Sequence, residues 1–538
     1  MAAGSSVKRF FCWWSCLKMP LSHREEVSHI LRMAGPLLLS RVLNYLLPFV
    51  VTMFCGRLGN EVMAGYGLAS ATINITTAAT GYGLALACDT LVSQTFGGKN
   101  LLRVGVILQR GILILLLFCL PCWALLLNAQ SLLLLVGQGP EVTRIANLYI
   151  IAYLPAVPAM FLHNLQASYL QNQGIILPQM YTAAMANVAN LMMNYVFLHW
   201  LDLGVTGSAA ANTLSQLSIC ALLFVYIRWK KLHVSTWGGW SMESLQEWGS
   251  YMRLAVPSML MKCFEWWLFE LGGFFAGMLG EDELATQHAV MMVSALAYML
   301  PFGIQAAACA RVGNALGAGD TGRAILTCKV ALSLPYIFLL RETMKIVNLV
   351  SVVMNAYVFV QFFDGLVCVC TGIFLGTGKQ KIPAAANFIG YYGVGLTLSV
   401  TLMFVVKLRI LGFWLGIMIC LILQSIIYII VIFKLDWKTM TEEAMKRGQK
   451  STHLALMSPA VQEEYRADIS EGNTATQQQA NADRLSLGQL LLRRGLALLA
   501  ALSILVTGTC VYFLVPLPVS PFPKSNLTKT DSGNSTLH

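Results

Sequence analysis

Phe54-Cys55-Gly56-Arg57-Leu58-Gly59 returns as Phe275-Ala276-Gly277-Met278-Leu279-Gly280 at a numbering offset of 221, and Pro36 returns as Pro257 at the same offset. Gly97, closing Thr90-Leu91-Val92-Ser93-Gln94-Thr95-Phe96-Gly97, returns at 220 as Gly317, closing Ala310-Arg311-Val312-Gly313-Asn314-Ala315-Leu316-Gly317. Leu170-Gln171-Asn172-Gln173-Gly174 before Pro178 corresponds to Leu375-Gly376-Thr377-Gly378-Lys379 before Pro383, and Gly207 to Gly412, at 205. Matches kept in order at nearly one offset mark an internal duplication. Membrane folds built from two related halves place a ligand site between them.

What is duplicated is apolar. Of 538 residues 57% are hydrophobic and 11% charged, where a soluble chain carries roughly 25% charged residues. A soluble fold is excluded. A membrane helix needs about 20 apolar residues, and the chain offers about thirteen such stretches of that length. They lie at 33–55, 61–88, 104–127, 143–169, 175–200, 204–227, 251–278, 284–310, 323–340, 346–374, 382–406, 410–433 and 495–515. Gly and Pro inside several of them are tolerated in membrane helices. The fold class is therefore all-α and polytopic: two six-helix lobes in a parallel repeat, plus an extra C-terminal transmembrane helix.

The net charge of +11 does not form a nucleic-acid patch, because the basic residues sit at helix ends. Lys8, Arg9, Lys18 and Arg24 precede the first helix, Lys99 and Arg103 follow the second, and Arg228, Lys230 and Lys231 follow the sixth. The positive-inside rule puts the amino terminus in the cytosol, and an odd helix count puts the carboxyl terminus outside. Lys407 and Arg409 fall on the wrong side. The sequons Asn526-Leu527-Thr528 and Asn534-Ser535-Thr536 in the tail suit an outside address. The expected organisation is a cytosolic segment 1–27, a first lobe 28–230, a linker 231–250, a second lobe 251–435, a cytosolic disordered linker 436–492, the thirteenth helix within 493–517 and an extracellular tail 518–538. Phe10 to Cys16 is too short an apolar run for a cleavable signal. The fourteen cysteines show no metal-ligand spacing, and no cofactor or metal is expected.

The offset falls from 220 to 205 between Gly317 and Leu375, so the second half is the shorter one there. Helix nine keeps about 17 apolar-biased residues, at the lower limit for a span. They run over 324–340, interrupted by Lys329 and Pro335 and ended by Arg341-Glu342-Thr343-Met344-Lys345. Two readings stand: a short helix whose flanking charges snorkel, or a chain impaired in folding or transport.

Ionisable groups in hydrocarbon are costly, and each is a functional hypothesis. Helix seven carries Glu265 and Glu270, and helix ten carries Asp364. Carboxylates so placed can exchange protons. At about 100° per residue the two glutamates point roughly 140° apart, so one is expected to face a cavity and the other a neighbouring helix. Trp266 and Trp267 follow Glu265, and a carboxylate beside an aromatic face suits a desolvated organic cation. The plainer reading makes the tryptophans lipid anchors. In the first half Asn74 and Gln94 are uncharged, Asp89 lies near a cytosolic helix end, and Arg41 lies well inside helix one, deep enough to salt-bridge a buried carboxylate. Lys262, nearer a cytosolic end, is expected to snorkel.

No Walker A sequence, nucleotide fingerprint or Ser/His/Asp motif is present, and no enzyme activity is expected. Coupling then comes from an ion gradient, with the lipid bilayer as the chain's surroundings and no nucleic acid as partner.

Over residues 28 to 438 the chain resembles a vertebrate-type multidrug and toxin extrusion (MATE) transporter, with that class's extra helix near the carboxyl terminus. The resemblance is carried by the Phe54–Gly59 motif, Ala87-Cys88-Asp89-Thr90-Leu91, Gly105-Val106-Ile107-Leu108-Gln109-Arg110-Gly111, Tyr169-Leu170-Gln171-Asn172-Gln173-Gly174, Glu265-Trp266-Trp267, Arg311-Val312-Gly313-Asn314-Ala315-Leu316-Gly317-Ala318-Gly319-Asp320 and Leu435-Asp436-Trp437-Lys438. It implies a plasma-membrane exchanger, working as a monomer, of protons for organic cations, drugs and toxins. On that pattern Glu265 is the main cation and proton residue, Glu270 a second carboxylate, and Asn74, Trp266 and Tyr298 line the cavity. The chain departs from the family at Met292, where a glutamate is expected in helix eight, at the shorter Asp364 of helix ten, and at the gap after Gly317. A lipid or oligosaccharide flippase of the same superfamily is the competing expectation, and Arg41 its one support.

Overall fold

The computed structural model describes residues 21–346, 352–449 and 485–517. Expectations for 1–20, for 450–484 and for the tail with both sequons lie outside the described residues. Helix α1 runs Leu21–Leu58. Asn60–Ile73, a π-helical turn Asn74–Ala78 and Ala79–Gly97 follow one another without a break as α2. The series continues with α3 (Leu101–Leu127), α4 (Pro140–Tyr153 and Ala156–Asn172, bent by 58°), α5 (Leu177–Tyr195, extended by the π turn Val196–Trp200) and α6 (Gly204–Trp229). The second half supplies α7 (Trp248–Leu279), α8 (Glu281–Gly317), α9 (Thr321–Ile346), α10 (Val352–Thr377), α11 (Lys381–Val405) and α12 (Arg409–Lys434). Two further helices, α13 (Trp437–Gln449) and α14 (Leu487–Leu514), complete the described chain.

Among the described residues, eight helices are long and apolar enough to cross a membrane, or nine when bent α4 is taken as one span. The remaining four of the thirteen expected spans are α2, α5, α7 and α9, whose polar load sets them apart: Lys262, Glu265 and Glu270 in α7, and Gly, Thr and Asn along α2 and α5. Pro48 removes a backbone donor inside α1. Side chains of α5 serve the carbonyls around it, Asn187 Nδ2 donating to Leu43 O at 2.7 Å and Asn190 Nδ2 to Leu47 O at 3.2 Å. The motif that exposes the duplication ends each time on a glycine just beyond its helix. Gly59 has φ 131° and Gly280 φ 138°, a backbone conformation that residues with a Cβ rarely adopt.

Apolar packing falls into two main clusters, one gathered between Val51 and Ala255 around Tyr149, Phe161 and Tyr251, the other between Leu268 and Ile432 around Phe374, Phe413 and Trp414. Between them, Glu26 at the start of α1 takes a bidentate grip on Arg311 of α8, at 2.5 and 2.6 Å, and accepts a third bond from Thr327 of α9 at 2.6 Å. Removing one partner of such a buried pair strands the other. Glu26→Ala is expected to cost about 3 kcal/mol, read as a lowered thermal midpoint of the purified protein; an unchanged midpoint would remove the pair from the interactions that join the halves.

Two expectations need correction. Helix nine is not short: α9 spans 26 residues through Pro335, about 39 Å at 1.5 Å per residue. Its backbone continues into Arg341-Glu342-Thr343-Met344-Lys345, because four of those five residues are strong helix formers whatever their polarity. Nor is the whole of 436–492 irregular. Asp436 caps α13, accepting Thr439 Oγ1 at 2.6 Å and the Lys438 amide at 3.1 Å, and the Thr439 hydroxyl holds its carboxyl below the usual carboxylate range. Met440 and Ala444 bury the inner face of the helix. Helix α14 leans on α3: Asn128 Nδ2 donates to Gly508 O at 2.8 Å, and Gly508 lies against Ala124 with no room for a side chain.

Candidate functional site

Glu265, on α7, has both of its carboxylate oxygens engaged. Its Oε2 accepts from Lys262 Nζ at 2.8 Å and its Oε1 from the Tyr298 hydroxyl of α8 at 3.0 Å. Lys262 is 1% exposed and Glu265 7%. Lys262 therefore does not snorkel: three residues before Glu265 it shares a helix face with it, and pairing replaces the reach for water. Asp364 on α10 lies within electrostatic reach of both Glu265 and Lys262.

Aromatic rings wall this cluster. Trp266 stacks on Tyr82 of α2 with centroids 6.0 Å apart and planes 8° from parallel. Tyr82 meets Phe302 of α8 at 5.6 Å, and Phe302 stacks on Tyr298 at 5.8 Å. Arg41 does not form the carboxylate pair expected of it: its guanidinium lies over Phe302 at 4.6 Å and Tyr82 at 5.7 Å, and it has no ion pair among the described residues. Lys262 Nζ approaches the same Phe302 ring at 5.8 Å.

Glu270 points away from this group, as its spacing from Glu265 along the helix implied, and its carboxylate is hydrogen-bonded by Asn74 in the π turn of α2. Trp267 donates Nε1 to Ile75 O of that turn at 3.0 Å, so it ties α7 to α2 and is neither a free lipid anchor nor part of the Glu265 wall. Of the six residues singled out in the sequence, Glu265, Trp266, Tyr298 and Asp364 gather together, while Glu270 and Asn74 form a second pair. Met292 is 43% exposed and outside both groups.

Lys262, Arg41, Tyr82 and Phe302 are the additions. A signal for them lay in the duplication: Arg41 and Lys262 are related by the offset of 221, as are Asn44 and Glu265, while Tyr82 and Phe302 are related by 220. Each of these two rings precedes a glycine, and a Cβ on Gly83 would strike the Met259 backbone, so α2 can approach α7 closely enough to stack Tyr82 on Trp266.

One end of the bundle is shut by a reciprocal contact. A Cβ on Gly97 would overlap the Asn314 carbonyl, and a Cβ on Gly317 the Gln94 carbonyl; the offset of 220 carries each of these contacts into the other. Thr90 Oγ1 donates to Leu375 O at 2.7 Å and Gln94 Nε2 to Gly376 O at 2.9 Å. Helix α13 lies across this end, with Arg447 Nη1 on Gln94 Oε1 at 3.1 Å and Glu443 on Lys379 at 3.1 Å. Burial makes Arg447 easier to deprotonate than usual, against the pull of Glu443.

Carboxylates in a buried, aromatic-walled site between two helix groups can hold and release a cation or a proton. The family profile described as MatE matches residues 36–196, 257–334 and 321–401. Multidrug and toxin extrusion protein 1 of Danio rerio is 46% identical over 91% of this chain and 90% of its own length, and that of Homo sapiens 42% over 93% and 95%. The structure of the eukaryotic MATE transporter AtDTX14 superposes with a TM-score of 0.73 over 79% of this chain and all of its own, at 24% identity. A MOP superfamily transporter from Pyrococcus furiosus superposes with 0.67 over 78% and 97%, at 17%. With both repeats matched by the profile and these two relatives aligned nearly end to end, the chain belongs to the multidrug and toxin extrusion family of multi-pass membrane efflux transporters.

Proposed function

We propose that the chain is a proton-coupled antiporter that exports organic cations, drugs and toxins across the plasma membrane by alternating access, and that it works as a monomer. The observation that carries the reading is Glu265: a buried carboxylate held by Lys262 and Tyr298, beside Asp364 and against Trp266, Tyr82 and Phe302. A cation and a proton compete for such a group, and binding of one favours release of the other. Glu270 with Asn74 forms a second proton-accepting pair.

Two six-helix lobes, 28–230 and 251–435, then move against each other, with α14 an accessory to the first. With the amino terminus cytosolic and the carboxyl terminus extracellular, the end shut by Gly97 and Gly317 is the cytosolic one, and this is the outward-facing arrangement. The competing flippase reading draws on Arg41, whose charge lies over Phe302 and Tyr82 with no ion pair among the described residues. The reading of a transport-impaired chain draws on α9, a 26-residue helix that is not among the spans apolar enough to cross a membrane.

The deciding measurement is movement of labelled tetraethylammonium by cells carrying the chain at the surface, with an imposed proton gradient. Efflux that follows the gradient and reverses with it is expected. Gradient-independent movement, or none at verified surface levels, would turn the reading towards the flippase or the impaired chain.

A further inference from the structure

We propose that Lys262 is a tethered rival of the substrate: its ammonium holds the place on Glu265 that a transported cation must take, and so weakens the binding of every cation that enters there. This rests on the cation-export reading above. Both Glu265 oxygens are engaged, Oε2 by Lys262 Nζ at 2.8 Å and Oε1 by Tyr298 at 3.0 Å. A cation arriving at Glu265 therefore replaces a charge-assisted hydrogen bond, not loosely held water.

The replacement differs by chemical class. A guanidinium or protonated amine brings N–H donors and restores the bond in kind, a guanidinium through a planar fork matched to a carboxylate. A quaternary ammonium brings charge alone and leaves Oε2 without a donor, where an unmade hydrogen bond costs the full desolvation of the group. The faces of Trp266, Tyr82 and Phe302 attract either class and do not cancel the difference. The displaced ammonium has a second carboxylate within electrostatic reach, Asp364, and so is not stranded at the cost that an unpaired buried charge carries.

The duplication supplies an internal control. The first-half counterpart of Lys262 and Glu265 is Arg41 with Asn44. There the cation has no carboxylate three residues on, and it rests on Phe302 and Tyr82 instead. Of these two corresponding places, only the one in the second half couples a carboxylate to its own counter-ion, and only there does an entering cation meet a rival.

The test compares KM for a labelled butylguanidinium and for tetraethylammonium in gradient-driven transport, at one fixed pH, for the native chain, Lys262→Met and Lys262→Arg. The native KM for tetraethylammonium is expected about tenfold above that for butylguanidinium. Lys262→Met is expected to lower the KM for both cations about tenfold and to keep their ratio, because the bond given up is the same whichever cation enters, while Lys262→Arg keeps both values near native. A purely structural ion pair would give lower turnover or less protein on its removal, not a lower KM for both cations. An unchanged or raised KM for the two cations in Lys262→Met at matched surface levels overturns the inference. Should Lys262→Met fail to reach the surface, Lys262→Gln decides in its place: lower KM values for both cations support the inference and unchanged values overturn it. A native chain that moves neither cation sinks the export reading itself, and this inference with it.

Discussion

Glu265→Gln is expected to abolish gradient-driven exchange of organic cations while leaving the protein at the cell surface. The substitution keeps the shape of the side chain and an oxygen for the Tyr298 hydroxyl, 3.0 Å away. It removes the charge that a cation pairs with and the group that a proton can occupy in its place. Lys262, 1% exposed, loses its partner and turns to Asp364, so two of the cluster's three ionisable groups stop responding to substrate. Truncating one partner of a buried charge pair costs about 2–5 kcal/mol, which converts to a loss of about thirtyfold or more in transport efficiency. The measurement is initial rate against substrate concentration at matched surface density. Retained exchange with a normal KM would move the cation site elsewhere, Glu270 with Asn74 being the next candidate.

Gly317→Val is expected to leave the protein folded but unable to complete its cycle. Its side chain would enter the space of the Gln94 carbonyl, and backbone cannot yield as a flexible side chain does. Forcing bulk into a packed contact costs about 1–3 kcal/mol. Here the strain falls on the closed arrangement alone, so a bias towards the form open at this end of about fivefold or more follows. Two outcomes are measurable: transport falls at least about fivefold, and the native thiols of Cys88 and Cys309, 0% and 1% exposed, label faster from the side where Lys99 and Arg103 lie. Gly97→Val is expected to act alike, against the Asn314 carbonyl. Normal transport by both variants would show that this end closes less tightly during turnover.

The duplication made most of the fold legible, because each repeat carries its apolar spans, its prolines and its glycines at one spacing. Glu265, Trp266 and Asp364 were legible for a different reason: polar or aromatic groups in hydrocarbon stand out against their surroundings. Tyr298 came from the family resemblance, since a tyrosine in an apolar helix has no such contrast, and Tyr82 and Phe302 were hidden for the same cause. Lys262 was misread although its spacing from Glu265 was in view; depth was judged from the distance to the helix end, and the partner three residues on was not weighed. Arg41 was legible as a charge inside an apolar helix but not in its company, because a sequence does not say whether a cation meets a carboxylate or a ring. For α9 and α13 hydropathy was the wrong measure, as Arg, Glu, Met and Lys continue a helix whether or not the surroundings are lipid.

The reciprocal glycine contact has the form of an isologous interface: residue i of one copy touches residue j of the other, and j touches i. That is the geometry of a two-fold homodimer, realised here inside a single chain. Two separate copies would meet with a strength set by their concentration, and either could leave. Fused into one polypeptide, the same pair of contacts has a strength that does not depend on concentration. Sequence divergence is then free to act on one side of the axis only, which is how Asn44 and Glu265 come to occupy corresponding places with different chemistry.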